Sequence, residues 1–482
     1  MEFDKREKLI GFLKRIERTY PIDKWTHNGI NLWPVIKISI FFINYSAIKT
    51  AKSATLKSRM VSVFKSLKLD ALYSFYWFKK IKVNEAKYVF SGFSRHRVMW
   101  KESFYNRYFD PMMDYIDEVQ GEKSIILEYD NKIEKSYYKP ERVHYPVRLF
   151  HYFNFTTKKV KFEYQQLERF DELLAEIKQE TDVDTEKLIS RISAELTGVS
   201  SWKSLWAYLL AQIKPSYVFV LCYYNSPMYG LILAAREKGI KTIDMQHGGQ
   251  GPFHSAYNYE RITGNKWDLF PDYFWTWDRS SADNIEKFTK NTSHLSFLGG
   301  NPWIAYLRDQ NFELTKNGKK IIIYTLQTNF VPVLHSYIID AIKESTGDYV
   351  WWLRLHPRMA ESEINELHQT LKNENINDKV EVERATALPL PVILSNCVAH
   401  VSHFSGSVVE AALMNVAVNI VMGDIGKKFF KEVIDQDEAL FFDTNADTNL
   451  FAFIKEHEKA NLKRGNGRDE EINYKHGLQY FN

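Results

Sequence analysis

Three short clusters in this 482-residue chain concentrate the side chains that handle anions and protons. The first is Gln246-His247-Gly248-Gly249. An imidazole titrates near neutrality, so His247 can donate to an anion or serve as acid or base, with Gln246 beside it. Two glycines let the backbone come close to a ligand. The same histidine can instead cap a sheet through its ring nitrogens. The second cluster is Arg354-Leu355-His356-Pro357. Proline stops a strand, and residues two apart project to one side, where Arg354 and His356 can both donate to an anion or form a satisfied edge pair. The third is Ser402-His403-Phe404-Ser405-Gly406-Ser407, followed directly by VVEAALMN. Hydroxyls and glycine at a helix start join free N–H groups and the helix dipole in an anion site, beside ordinary N-capping. Glu410, three residues beyond Ser407, fits a capping box or could accept from ribose hydroxyls.

Two weaker sets, Asn225-Ser226-Pro227 and Gln327-Thr328-Asn329, sit after apolar runs and either hold a polar ligand or simply form loops. The chain contains no GxxxxGKS, GxGxxG, GxSxG, HExxH or CxxC pattern, so chemistry without a metal is expected.

Each cluster needs an element to aim it. SYVFVLCYYN reads as a parallel strand buried on both faces, MYGLILAAREKG as a helix, and KTIDMQHGG as the next strand, breaking into the first cluster. SIILEYD, DYFWTWD and HLSFLGG read as further strands. After a polar stretch the alternation restarts: KKIIIYTLQ, VPVLHSYIIDAIKES, YVWWLRLHP, LPVILSNC, AHVSHFSGS, VVEAALMN, VAVNIVMG. Strand–helix alternation of this kind predicts an α/β protein with two Rossmann-like domains, at 86–300 and 319–445, joined by a linker at 301–318. A helical region at 1–85 precedes them, and a C-terminal helix with a polar tail at 446–482 follows. Ligands of such sheets lie beyond the carboxyl ends of the strands, which predicts a site in a cleft between the domains.

Composition narrows the classes. With 64 Lys and Arg against 60 Asp and Glu, the net charge of +4 argues against a nucleic-acid binder. Aromatic residues at 15% serve either as sugar-stacking platforms or as bulky core. Between Lys49 and Lys101 thirteen cations face only Asp70 and Glu85, which suits either an anionic lipid surface or a solvated helix face. LWPVIKISIFFINY, from Leu32 to Tyr45, is interrupted and too short to span a bilayer, so an interfacial or buried helix is expected. The charged start of the chain is no secretory leader, and Cys222 and Cys397 set up no disulfide framework. A reducing cytoplasm, with attachment to the inner surface of the membrane, is the expected location.

The succession QHGG, RLHP, SHFSGSVVEA resembles bacterial capsule and lipopolysaccharide glycosyltransferases that use CMP-activated acidic sugars, the Kdo transferases and sialyltransferases among them. A QHG turn with a later HP is also similar to CDP-glycerol phosphotransferases. The resemblance covers roughly 215–425. It implies the two-Rossmann (GT-B) fold, a CMP-linked sugar donor, no further cofactor, and a glycan or lipid-linked acceptor. It also implies that His356, Ser405 and Ser407 hold the nucleotide phosphate. From the clusters themselves, Arg354, Pro357, Ser402, Gly406 and Glu410 are expected around that phosphate, and Gln246, Gly248, Gly249, Asn225 and Gln327 on the substrate. Catalysis would fall to an acid, base or nucleophile of the first domain. The strand before Asn225 lacks the carboxylate expected there, which leaves Glu128, Asp130, Asp244 and His247 as candidates. A CDP-alditol phosphotransferase, a sugar-nucleotide epimerase and a non-catalytic assembly scaffold are the rival expectations.

Overall fold

The structure, a computed structural model, describes residues 2–47, 73, 75–76, 82–130, 136–260, 262, 264–310, 312, 314, 318–328, 330–446, 449–461 and 473–481. They divide into two compact units, Met1–Gly300 with Tyr474–Asn482, and Asn301–Asn473.

The first unit is built on β1 (Tyr88–Gly92), β2 (Ser124–Glu128), β3 (Val143–His144), β4 (Tyr217–Leu221), β5 (Lys241–Met245), β6 (Tyr273–Thr276) and β7 (Leu295–Leu298). Their order is β7-β6-β5-β4-β1-β2-β3, parallel throughout. Val218, Phe219, Val220 and Leu221 of β4 are wholly buried, as a strand covered on both faces requires. Helices α1 (Glu2–Thr19), α2 (Trp33–Ala47), α3 (Thr185–Ile213) and α4 (Ser226–Glu237) share one core with Val218 and Val220 of β4. Asp184 caps α3 by accepting from the Glu186 and Lys187 amides.

One sequence expectation changes here, and two open alternatives close, the apolar run as a buried helix and the tail as folded back. The N-terminal helices are not a region apart, because their apolar residues belong to the core of the first unit. Lys37 and Glu17 form a fully buried ion pair at 2.7 Å, and Lys37 Nζ also donates to the Asn258 carbonyl at 2.5 Å. Leu32, Trp33, Val35, Ile36, Ile38 and Ile40 are buried, so this part of the apolar run faces protein. The tail folds back: Tyr88 Oη donates to the Phe481 carbonyl at 2.9 Å. Gly477 of the C-terminal helix Tyr474–Gln479 lies so close to Trp275 that a Cβ would sit 2.6 Å from the ring.

The second unit holds β8 (Lys320–Thr325), β9 (Tyr349–Arg354), β10 (Val380–Glu381), β11 (Cys397–Ser402), β12 (Val418–Met422) and β13 (Leu440–Phe442). The order is β10-β9-β8-β11-β12-β13, again parallel. The expected linker contains a helix, α5 (Pro302–Asp309), capped by Asn301 and tied to this unit by Arg308 Nη2 on the Leu413 carbonyl at 3.0 Å. Helices α6 (Ser336–Glu344), α7 (Glu361–Asn373), α8 (Ser407–Leu413) and α9 (Leu450–Asn461) are among those that accompany it.

Both sheets run outward in one direction from their first strand and then restart on its other side, the doubly wound order with a switch point beside that strand. The chain is therefore α/β with two Rossmann-like units. The switch points fall between β1 and β4 and between β8 and β11. Among the described residues no helix is long and apolar enough to cross a membrane. Of the basic stretch, residues 49–72, 74 and 77–81 lie outside the described ones.

Candidate functional site

In the second unit the polar residues converge on the ends of β9, β8 and β11, three neighbours across the switch point. Thr325 ends β8 and Ser402 ends β11; the Thr325 hydroxyl donates to Ser402 Oγ at 2.9 Å. Thr325 Oγ1 also lies 2.8 Å from Ser407 Oγ and 3.2 Å from His400 Nε2, and Ser407 Oγ is 3.1 Å from that nitrogen. On the far side of the ring, His400 Nδ1 is 2.8 Å from Asn419 Oδ1. All five side chains are buried. Burial pushes the His400 imidazole down to about 4, so this network is neutral at pH 7.

This arrangement corrects the expectations for Ser402 and Ser407. Their hydroxyls face one another and the histidine, in a core network, and are not offered to a ligand. The capping box is also absent: the cap of α8 is Gly406, without a side-chain cap bond, and Glu410 is half-buried in the first turn. Ser405, partly exposed, is different. Its Oγ accepts from the Ser407 amide at 3.3 Å, which leaves its own proton for a further acceptor.

His356 follows β9. Its Nδ1 accepts from the Arg358 amide at 3.2 Å, so the ring proton sits on Nε2, a preset donor on a half-buried ring. Burial and the neighbouring Arg358 charge hold this imidazole below its ordinary range, hence neutral. Arg354 instead turns into the protein: Nη1 donates to the carbonyls of Ala385 and Leu388, each at 2.6 Å. Pro357 is exposed in the turn after His356. Gln327, just past β8, is buried, and its Nε2 has no hydrogen-bond partner. Asn329 lies outside the described residues. Ser405, His356 and Gln327 thus place three uncharged donors at adjacent strand ends. Gly426 supports the same end, since a Cβ there would collide with the His403 carbonyl. His403 itself is buried, with Tyr337 Oη 2.6 Å from Nε2 and Tyr324 Oη 3.2 Å from Nδ1.

In the first unit most of the singled-out residues are spent on the fold. Gln246 uses its whole amide: Nε2 donates to the Gly248 carbonyl and Ser281 Oγ, each at 3.0 Å, and Oε1 accepts from the Trp277 amide at 2.7 Å. Asn225 is the cap of α4, accepting from the Met228 amide at 3.0 Å. Glu128 is paired through Oε1 with Arg97 Nε at 2.6 Å, with neither side chain exposed, while its buried Oε2 has no hydrogen-bond partner. Asp244 is buried in β5, accepting from Tyr257 Oη at 2.7 Å and from the Tyr223 amide at 3.1 Å. Burial pushes its carboxyl up to about 8. Both Asp130 oxygens accept from Ser94, one from the amide at 2.9 Å and one from the hydroxyl. Gly248 and Gly249 have neither left-handed φ nor a neighbour that a Cβ would meet, so nothing in the fold itself demands glycine there.

His247 is partly exposed, and both ring nitrogens are engaged. Nδ1 faces the Met245 carbonyl at 3.4 Å, which puts the proton on that nitrogen. The bare Nε2 then lies 3.1 Å from Cys222 Sγ and 3.3 Å from Tyr224 Oη. Burial pushes the ring down to about 4, opposed by the Met245 bond and aided by the Arg107 charge. Cys222 adopts φ of 59°, the left-handed region, directly after β4.

Sequence reasoning missed the groups left open at this end. His96 follows β1, 6.1 Å from the His247 ring and 5.6 Å from that of Tyr108, and its Nδ1 is buried without a partner. Trp277, after β6, stacks with Tyr108 at 6.2 Å, and its indole N–H is likewise unpartnered. Both amide atoms of buried Gln250 lack partners. QHGG was one residue too short a reading: Gln250 follows it directly.

No family model matches the chain, and no curated protein does. Solved structures are similar at low identity. A UDP-N-acetylglucosamine 2-epimerase is 13% identical over 82% of this chain and 94% of its own, with a TM-score of 0.48. The UDP-GlcNAc 2-epimerase from Neisseria meningitidis bound to UDP-GlcNAc is 12% identical over 82% and 98%, at 0.47. The glycotransferase of kitacinnamycin is 10% identical over 82% and 98%, at 0.44. The fold class rests on the strand order of the two sheets.

Proposed function

We propose that the chain is a glycosyltransferase whose second unit binds the phosphate of a nucleotide sugar and whose first unit receives the acceptor. The observation that carries this is the trio Ser405, His356 and Gln327, uncharged donors at the ends of three adjacent strands across a switch point, where doubly wound sheets take nucleotides. In the transfer an acceptor hydroxyl attacks the anomeric carbon, the bond from that carbon to the phosphate oxygen breaks, and the nucleotide leaves. Donors fixed before the reaction stabilise the charge that grows on the leaving phosphate. The first unit offers rings, neutral imidazoles and an open amide, groups that suit hydroxyls. His247, with its bare Nε2 turned toward weak donors, is our candidate for receiving the acceptor proton.

The nucleotide is proposed to be CMP, on the motif resemblance, with a Kdo-type or other acidic sugar and a glycan or lipid-linked acceptor of surface polysaccharide synthesis. A thermal-shift panel of CMP, CDP, UMP, UDP and GDP tests it. A nucleotide at a hundredfold excess over its Kd stabilises by about 2.7 kcal/mol. A shift with CMP is expected; a shift with UDP or GDP alone removes the CMP assignment, and one with CDP alone favours alditol phosphate transfer. The basic stretch is proposed to hold the chain on an anionic membrane; equal cosedimentation with anionic and neutral vesicles would overturn that.

A further inference from the structure

The buried network behind the second unit's donors does more than fill the core. We propose that His400, held in one tautomer by Asn419, is a positioning residue that decides which hydroxyl of the Ser405–Ser407 turn can donate to an anionic ligand. This rests on the reading of that strand end as a phosphate site.

The argument is a count of protons. The Asn419 amide is fixed, because Nδ2 donates to the carbonyls of Val408 at 3.0 Å and Glu438 at 3.1 Å. Only Oδ1 is left to face His400 Nδ1, at 2.8 Å, and an acceptor there requires the ring proton on Nδ1. Full burial keeps the ring neutral, so Nε2 carries a lone pair and no proton. Two hydroxyls approach that lone pair, Ser407 at 3.1 Å and Thr325 at 3.2 Å. The Thr325 proton is already given to Ser402 Oγ. The contacts of Ser407 with His400 and with Thr325 therefore both draw on the one Ser407 proton, which points inward in either case. Meanwhile the Ser407 amide donates to Ser405 Oγ, so the Ser405 proton is the one that remains to be given. The two serines look equivalent in sequence. The imidazole, with the Thr325 hydroxyl beside it, makes one a strut and leaves the other a donor.

The consequence is visible in variants. Ser405→Ala removes a donor to a charged group and lowers affinity for CMP by about tenfold or more. Ser407→Ala changes affinity by less than about threefold per folded molecule, though it lowers the melting temperature by removing a core bond.

The test uses the full chain. ¹⁵N-histidine NMR of the unliganded protein at pH 7 reads the His400 tautomer, assigned by its loss in His400→Gln. A proton on Nδ1 with bare Nε2 is expected; a proton on Nε2 overturns the proposal with no core variant needed. CMP and inorganic pyrophosphate titrations of Ser405→Ala and Ser407→Ala follow. Equal losses, or a larger loss in Ser407→Ala, also overturn it. If the parent protein binds no nucleotide and no pyrophosphate, the phosphate reading of this strand end fails and the positioning role with it.

Discussion

The two units share one strand order yet treat the polar residues at their strand ends in opposite ways. In the first unit the conspicuous ones are largely consumed: Gln246 by Trp277, Ser281 and Gly248, Asn225 by a helix cap, one oxygen of Glu128 by Arg97, Asp244 by Tyr257 and Tyr223. In the second unit an inner layer, Thr325, Ser402, Ser407, His400 and Asn419, satisfies itself, and an outer layer, Ser405, His356 and Gln327, keeps donors to give. A polar residue at the end of a parallel strand is thus a candidate for function only once its bonds are counted. Carboxylates illustrate this best, since a buried one must be paired or neutral to be tolerated.

That contrast can be broken at several points. Glu128→Ala removes the shorter of two buried carboxylate contacts of Arg97, leaving Asp110 at 3.6 Å, and should destabilise the protein by up to about 3–5 kcal/mol, read by urea unfolding. A variant that melts like the parent but no longer turns over would return Glu128 to the catalytic list. His247→Ala should lower turnover on folded protein by about 10² or more, the lower bound for a lost acid or base, with nucleotide affinity nearly unchanged. Normal turnover with a lowered melting temperature would make His247 one more consumed residue. His356→Ala should cost about 1.5–3 kcal/mol of nucleotide binding without loss of fold; an unchanged Kd would empty the outer layer of the second unit.

A further effect, read through its pH dependence, concerns Asp244. Its folded carboxyl is pushed up to about 8, above its ordinary value of 3.8. A group shifted upward favours the folded state while it stays protonated, and that contribution fades as pH rises toward 8. Asp244→Asn should therefore gain in stability relative to the parent from pH 5 to pH 9. A difference that is flat with pH would mean that Asp244 is already ionised in its pocket.

Much of the architecture was legible because buried parallel strands are written as unbroken apolar runs, as in YVFVL and KIIIYT. What the runs do not encode is which neighbour a strand pairs with, or that 474–481 returns to Tyr88 and Trp275 across almost the whole chain. The sites were legible by position and less so by role. His356 and Ser405 stand as expected, at strand ends with donors to offer. Ser407 and Arg354 offer donors at the same ends, and only the location of His400 and Thr325 and of the Ala385 and Leu388 carbonyls turns them inward. His96, Trp277 and Gln250 gave no signal, since each looks like core or loop until its unpartnered atoms are seen.

The measurement that bears most directly on the two-layer account is a crystal structure of the protein with CMP. The account predicts a phosphate oxygen within hydrogen-bond distance of Ser405 Oγ and of His356 Nε2, with Ser407 still turned to His400. A phosphate held by Ser407 and Arg354, or one bound at the His247 end of the first unit, would contradict it.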